Sequence, residues 1–332
     1  MIDSSSIELV VTSPPYPMVA MWDEVFAGMD AQVATAIEQG DGNLAFERMH
    51  RILDAAWDEL ARVVVDGGIV CINIGDATRT VADEFRLYPN HARIISALHD
   101  RGFVSLPGIL WHKPTNAATK FMGSGMLPSN AYPTLEHEHL LVFRRGKKTR
   151  PFPAGDSSRY ASAFFWEERN RWFSDIWSDV IGTDQSLPTV EGRERSAAFP
   201  LEIPYRLINM FSIYGDTVLD PFSGTGTTQL AAMLAARNSV GVDSDSTLLA
   251  SLEERLAGLS ERSRERVEER LELHREFVEK HHQSGGEMGY RATHYDFPVM
   301  TAQEQDIRFY VVDDVAVNED SIQADHLPFD EL

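Results

Sequence analysis

Only one of the 332 residues is a cysteine, Cys71. A lone thiol excludes an internal disulfide and a cysteine-rich zinc site, and it suits a reducing compartment. Basic residues are also scarce: 30 Lys and Arg against 51 Asp and Glu, a formal net charge of −21. That balance is unexpected for a protein that binds nucleic acid. No apolar run approaches the ~20 residues needed to span a bilayer. The first residues, MIDSSSIEL, have neither the basic nor the apolar region of a signal peptide. These absences lead to the expectation of a cytoplasmic protein with no membrane partner. Hydrophobic residues make up 43% of the chain, enough for a sizeable core in two domains or in one large domain with an insertion.

The charge is uneven. Residues 112–171 hold 10 basic against 5 acidic residues, whereas residues 243–332 hold 9 against 22. A basic middle thus lies between acidic flanks.

Strand and helix patterns alternate along much of the chain. Residues 7–11 (IELVV) read as a buried strand, and 44–65 repeat apolar residues at helical spacing up to a stop at Asp66-Gly67-Gly68. The runs IVCIN, GILWHKP and HEHLLVFRRG read as strands, with a helix around 91–101. Later, YRLINMFS and TQLAAMLAARN are helical, and TVLDPF and SVGVDSD are strands. Such alternation indicates an α/β fold with a largely parallel sheet. Residues 113–195 break the rhythm with Gly, Pro, Ser and many aromatics, as an insertion would. Residues 246–282 read as one long charged helix with Leu248, Leu252, Leu256, Leu259, Val267 and Leu271 near one stripe.

Two turns carry the chemistry. The first is Thr12-Ser13-Pro14-Pro15-Tyr16, directly after the opening strand. The second, VLDPFSGTGTT at 218–228, joins strand to helix through Gly224 and Gly226, which permit positive φ and a close ligand approach before a helix N-terminus. One unit later Asp243 ends the next strand, where an acid can hold two ribose hydroxyls. The pair describes a nucleoside site. Asp220 just before the loop would repel phosphate and suits a cationic ligand such as S-adenosylmethionine.

On these motifs the chain resembles the DNA amino-methyltransferases, which methylate exocyclic amino groups of bases. Thr12–Tyr16 looks like their catalytic motif and Asp220–Gly226 like their cofactor motif, in the order of the β group. The resemblance implies a doubly wound, mostly parallel, seven-stranded Rossmann-like sheet. It divides the chain into a catalytic half (1–114), a target-recognition insertion (115–195) and a cofactor half (196–332). It implies catalytic roles for Ser13, Pro14, Pro15 and Tyr16. The cofactor S-adenosylmethionine would meet Phe199, Asp220, Phe222, Ser223, Gly224, Gly226, Thr227 and Asp243. Asp313 or Asp314, on an expected third strand, would contact its adenine. Where the family often has His or Lys, this chain has Ser196-Ala197-Ala198.

The turn's composition fits the reaction. An amino group conjugated to a base ring is a poor nucleophile. Ser13 and the Pro14 carbonyl can each accept one of its N–H groups, the prolines hold those acceptors in place, and Tyr16 can stack on a flipped base. In the family Ser at this position goes mostly with cytosine and Asp mostly with adenine, so N4 of cytosine is favoured and N6 of adenine is the alternative. Methylation at C5 needs a Cys nucleophile, and Cys71 reads as a core residue. Asp76 reads as a helix cap or turn residue. His137 and His139 share a strand face, but the reaction needs no metal. Double-stranded DNA is the implied partner, contacted by Lys113, Arg144, Arg145, Lys147, Lys148, Arg150, Arg169 and Arg171. Family resemblance and the long helix suggest a homodimer, and a cognate restriction endonuclease remains an open partner. Competing readings are an RNA or protein-glutamine methyltransferase, whose cofactor motif usually precedes Pro-Pro-Tyr, and a nucleic-acid binder that has lost catalysis.

Overall fold

Seven strands form the main sheet of the computed structural model, which describes residues 2–113, 122–181, 199–245, 248–318 and 321–332. In chain order they are β1 (Ile7–Thr12), β2 (Val64–Ile74), β3 (Phe103–His112), β4 (His137–Arg145), β5 (Ile176–Trp177), β6 (Thr217–Asp220) and β7 (Asn238–Gly241). Across the sheet the order is β7-β6-β1-β2-β4-β3-β5. All neighbours are parallel except β4, which runs against both β2 and β3. This is the α/β sheet the alternating pattern predicts.

The apolar runs are long because both faces are covered. On one face the helix Gly42–Val63 lays Ala45, Met49, Leu53, Trp57 and Leu60 against Val10, Ile72 and Phe143. Asp41 caps it, its Oδ1 accepting from the Leu44 N–H at 2.9 Å. On the other face the helices Glu202–Phe211 and Thr227–Leu234 cover Leu9, Val11, Cys71 and Val218. Each fully buried large side chain in these layers contributes ~1.5–3 kcal/mol. Cys71, a small side chain, is buried mid-strand among them, and burial pushes its thiol pKa well up.

Three expectations need correction. Asp66-Gly67-Gly68 is not where the helix stops: it ends earlier, at Val63. The Gly42–Val63 helix passes directly into β2, and the glycines make an irregularity in its pairing with β1. Gly67 sits at φ +81°, and a Cβ there would meet the Arg150 backbone nitrogen at 2.3 Å. The long helix is two, Leu248–Arg255 and Leu259–Gln283, broken at Gly258 with φ +69°. Its stripe faces its own chain: Val267 and Leu271 pack with Phe165, Phe297 and Phe309, and Arg270 clasps Glu168 through two buried bonds of 2.6 and 2.8 Å. Lastly, Tyr310–Val317 does not extend the main sheet. It pairs with Ile322–Pro328 as a separate two-stranded ribbon beside that helix.

The span 115–195 is not simply an insertion either. It supplies β4, next to the middle of the sheet, and β5 at its edge.

Candidate active site

Parallel pairing places the two motif turns side by side. Leu9 lies opposite Val218 and Val10 opposite Leu219, so β1 and β6 end together at the carboxyl edge. Asp220 fastens them. Its Oδ1 accepts from Thr12 Oγ1 at 2.6 Å and from the Phe222 N–H at 3.1 Å, and its Oδ2 accepts from Thr228 Oγ1 at 2.7 Å. The carboxyl is 2% exposed, and burial raises its pKa to about 6. The sequence suggests an acid waiting for a cation; the structure shows that Asp220 also clips the Ser-Pro-Pro-Tyr turn to the glycine turn.

On the other side β2 pairs Thr12 with Ile72 and brings Asn73 alongside Ser13. Tyr16 turns back over Gly75, where an added Cβ would lie 2.9 Å from Tyr16 Cε2. Its hydroxyl donates to Glu138 Oε2 at 2.8 Å and accepts from Asn73 Nδ2 at 2.9 Å; Ser13 Oγ lies 3.3 Å away. Burial, then the Glu138 charge, raises the Tyr16 pKa well above that of a free phenol. Lys113 Nζ donates to Glu138 Oε1 at 2.9 Å. Buried Asn90 braces the turn from beneath, donating to the carbonyls of Pro17 and Gly75 at 3.0 and 2.9 Å. Asn73, Asn90 and Glu138 are not among the site residues the sequence suggests. The HEH alternation offered one signal: placing two histidines on one face puts Glu138 on the other.

The glycine turn ties its backbone amides within the protein: the Ser223 N–H donates to the Val242 carbonyl and the Gly226 N–H to the Ser223 carbonyl, each at 2.9 Å. Gly226, at φ +76°, begins the helix Thr227–Leu234. Gly224 has φ +52° and open space where a side chain would be. Asp243 follows β7 and is exposed; its Oδ2 accepts from the Gly224 N–H at 2.8 Å. Ser223 Oγ donates to Gln229 Oε1 at 3.0 Å. Arg255, unforeseen from the sequence, donates to Thr225 O, Thr225 Oγ1 and Thr227 Oγ1, each at 3.0 Å. Phe222 meets Trp57 edge-on at 6.1 Å. This open loop, with an acid at the next strand end, fits a nucleoside cofactor.

Other expected contacts fall elsewhere. Phe199 is only 6% exposed and packs in the core, which leaves little of it for a ligand. Asp313 and Asp314 lie exposed on the separate ribbon instead of on a strand of the main sheet. Because β4 is antiparallel, its His139 end faces the carboxyl edge and its Arg144 end the amino edge. Arg144, Arg145, Lys147, Lys148 and Arg150 are therefore separated from Ser13 by the length of a strand, ~17 Å for five residues. Arg145 donates to the Arg101 carbonyl, and Arg150 pairs with Asp216 at 2.8 Å. The run borders a cavity of about 750 Å³ at that edge, lined also by Phe152 and Arg159. Arg169 and Arg171 are exposed on the short helix Trp166–Trp172. Of the expected DNA contacts, Lys113 alone bonds into the network of Tyr16, Asn73 and Glu138. Ser196-Ala197-Ala198 lie outside the described residues.

Asp76 accepts from the backbone and ring nitrogens of His91, at 3.1 and 2.8 Å, and so holds the start of the helix Asn90–Asp100. His139 stacks on His91 at 4.1 Å. These three residues are grouped closely enough to share an ion, but the 2.8 Å contacts are those of a hydrogen bond.

A methyltransferase sheet whose carboxyl edge joins a Ser-Pro-Pro-Tyr turn to a glycine-rich turn is the class these features define. The comparisons agree. The DNA methylase family model matches residues 7–254, and the chain belongs to that family. It is 48% identical over 312 residues to the Type II methyltransferase M.MthZI of Methanothermobacter thermautotrophicus, covering 93% of this chain and 86% of that protein. It is 50% identical over 266 residues to M.MjaI of Methanocaldococcus jannaschii, covering 77% and 86%. Among solved structures, a putative DNA modification methylase from Thermus thermophilus, complexed with S-adenosyl-L-methionine, superposes with a TM-score of 0.59 at 30% identity, covering 77% of this chain and 87% of that one. S-adenosylmethionine is the cofactor.

Proposed function

We propose that the protein methylates the exocyclic N4 amino group of cytosine within a short sequence of duplex DNA. The observation that carries this reading is the position of Ser13: a neutral hydroxyl at the end of β1, 3.3 Å from the Tyr16 hydroxyl and one strand away from the cofactor turn. S-adenosylmethionine supplies an electrophilic methyl group on a sulfonium. The residues that would hold it are Asp243 and the backbone of Ser223, Gly224 and Gly226, with Asp220 stiffening the loop.

The rest falls to the catalytic turn. Ser13 Oγ and the Pro14 carbonyl each accept one N–H of the amine, drawing the nitrogen toward a tetrahedral shape and returning its lone pair from the ring. Tyr16 stacks on the flipped base. Holding the two reactants in line supplies much of the rate. The product nitrogen is cationic and acidic, so its proton leaves readily.

Residues 115–195, apart from the sheet strands β4 and β5 that they supply, act as the target-recognition region, and Lys113 borders the flipped base. Strong similarity to two Type II methyltransferases supports action within a restriction–modification pair. Adenine N6 is the second reading, since the same turn geometry serves either amine.

The test is transfer of labelled methyl groups from S-adenosylmethionine to unmethylated duplex DNA at low and high salt, followed by mass analysis of the nucleosides. N4-methylcytosine is expected. N6-methyladenine would overturn the base assignment, and labelling of RNA or protein alone would overturn the DNA assignment.

A further inference from the structure

The hydroxyls beneath the catalytic turn form a chain with a direction. Glu138 is 9% exposed, and its Oε2 receives both Tyr16 Oη at 2.8 Å and Asn73 Nδ2 at 2.7 Å. A carboxylate only accepts, and an amide nitrogen only donates. The phenol therefore spends its one proton on Glu138, while its oxygen receives the second Asn73 proton at 2.9 Å. Toward Ser13 it has no proton left, only a lone pair. In the 3.3 Å contact Ser13 must be the donor. Its proton points inward, and its lone pairs are left for the amine.

We propose that Glu138 is the positioning residue that fixes this polarity, making Ser13 a pure acceptor for the N–H of the target base. The inference rests on the reading that Ser13 receives that N–H. Without the carboxylate, the phenol can turn its proton to Ser13. The serine proton is then displaced toward the amine, donor against donor. With it, the negative charge polarises both hydroxyls in series and strengthens the last acceptor. The long link is the one next to the substrate, where hydrogen bonds tighten on binding.

Asn73 serves the same arrangement. Both its amide protons are committed to the network, while its own Oδ1 is buried with no partner among the described residues. A buried orphan oxygen costs stability. The reversed amide would set its carbonyl 2.7 Å from the Glu138 carboxylate, acceptor against acceptor. Lys113 Nζ, at 2.9 Å from Oε1, completes the set that keeps the carboxylate in place.

The test compares Glu138→Gln, Glu138→Leu, Tyr16→Phe, Ser13→Ala and the double variant Ser13→Ala/Glu138→Leu, on whichever base the wild type methylates. Glutamine keeps an oxygen for the phenol proton and loses the charge; leucine keeps the bulk and loses both. Expected are a fall in kcat of ~10²-fold for Glu138→Leu, recovery to within ~5-fold of wild type for Glu138→Gln, and an unchanged KM for S-adenosylmethionine in both. The double variant should be no slower than Ser13→Ala alone, because both changes cut one chain. Equal damage from glutamine and leucine, or additive losses in the double variant, would overturn the proposal and leave Glu138 a brace for the loop. Should Glu138→Leu fail to fold, Tyr16→Phe answers instead: it keeps the ring and removes the relay, so wild-type kcat in a folded Tyr16→Phe protein also overturns it. Full activity in Ser13→Ala would instead remove the underlying assignment of the amine to Ser13, whatever Glu138 does.

Discussion

At the carboxyl edge of the main sheet, Thr12 bonds Asp220 on the next strand, Tyr16 links Ser13 to Asn73 and Glu138 on two others, and the exposed Asp243 holds the amide of Gly224. At the amino edge of the same strands, the most basic run of the chain leads from the end of β4 into the following loop and is tied to carbonyls and to Asp216. Charge alone points to the second edge as the place for DNA. Strand direction points to the first. In a parallel sheet the loops after the strands share one edge, so residues that act together collect there whatever the local charge. The antiparallel β4 shows both sides of this rule: it delivers Glu138 to the site and carries Arg144 and Arg145 away from it.

Four measurements test this contrast. The largest effect is expected from Ser13→Ala, a loss of ~10²–10³-fold in single-turnover rate with cofactor affinity by calorimetry unchanged. Next comes Asp243→Ala, which should weaken S-adenosylmethionine binding by ~10–100-fold and leave the saturated rate within a few-fold of wild type. An equal loss of rate and affinity in both variants would mean that the two turns are not separable in function.

Asp220→Asn tests the clip. The Asp220 carboxyl titrates at about 6 in the folded protein and near the ordinary carboxylate value when unfolded. Between about pH 4 and 6 the native state thus binds the extra proton, and this residue's contribution to stability falls as pH rises through that window. Asparagine removes that slope, worth ~1–3 kcal/mol. His50, lowered by burial to about 4, tilts stability the opposite way. The useful quantity is therefore the difference between wild-type and variant melts across pH 4–7. A pH-independent difference would show that Asp220 is not buried as described. The smallest effect is expected at the amino edge: Lys147→Ala/Lys148→Ala should change DNA affinity by less than ~3-fold, with little change in its salt dependence. A steep loss there would return the basic run to the DNA-binding surface.

The two turns and nearly every strand of the sheet were legible in the sequence because each is a local pattern: an apolar run, then a turn residue with a narrow conformational choice. What was not legible depends on partners far along the chain. Glu138 is 122 residues from Tyr16, and nothing near it announces that contact. Arg255, the last residue of the helix Leu248–Arg255, reaches Thr225 and Thr227 some 30 residues back in the chain, in a turn its own neighbours do not announce. Gly67 reads as a helix stop by composition, yet the chain uses its positive φ inside a strand to make room for Arg150. Tyr310–Val317 has the composition of a core strand, but it finds its partner in Ile322–Pro328, a few residues on, before it can join the sheet.

The Asp220 clip spans 208 residues of sequence and a single strand spacing in the fold. Because β1 and β6 lie side by side and parallel, the order in which the chain visits them is invisible to the chemistry. A gene cut between these strands and rejoined in the opposite order would encode the same adjacency of Thr12, Asp220 and Thr228. The reading direction of such a protein is a matter of ancestry, and its working part is a place where two strand ends meet.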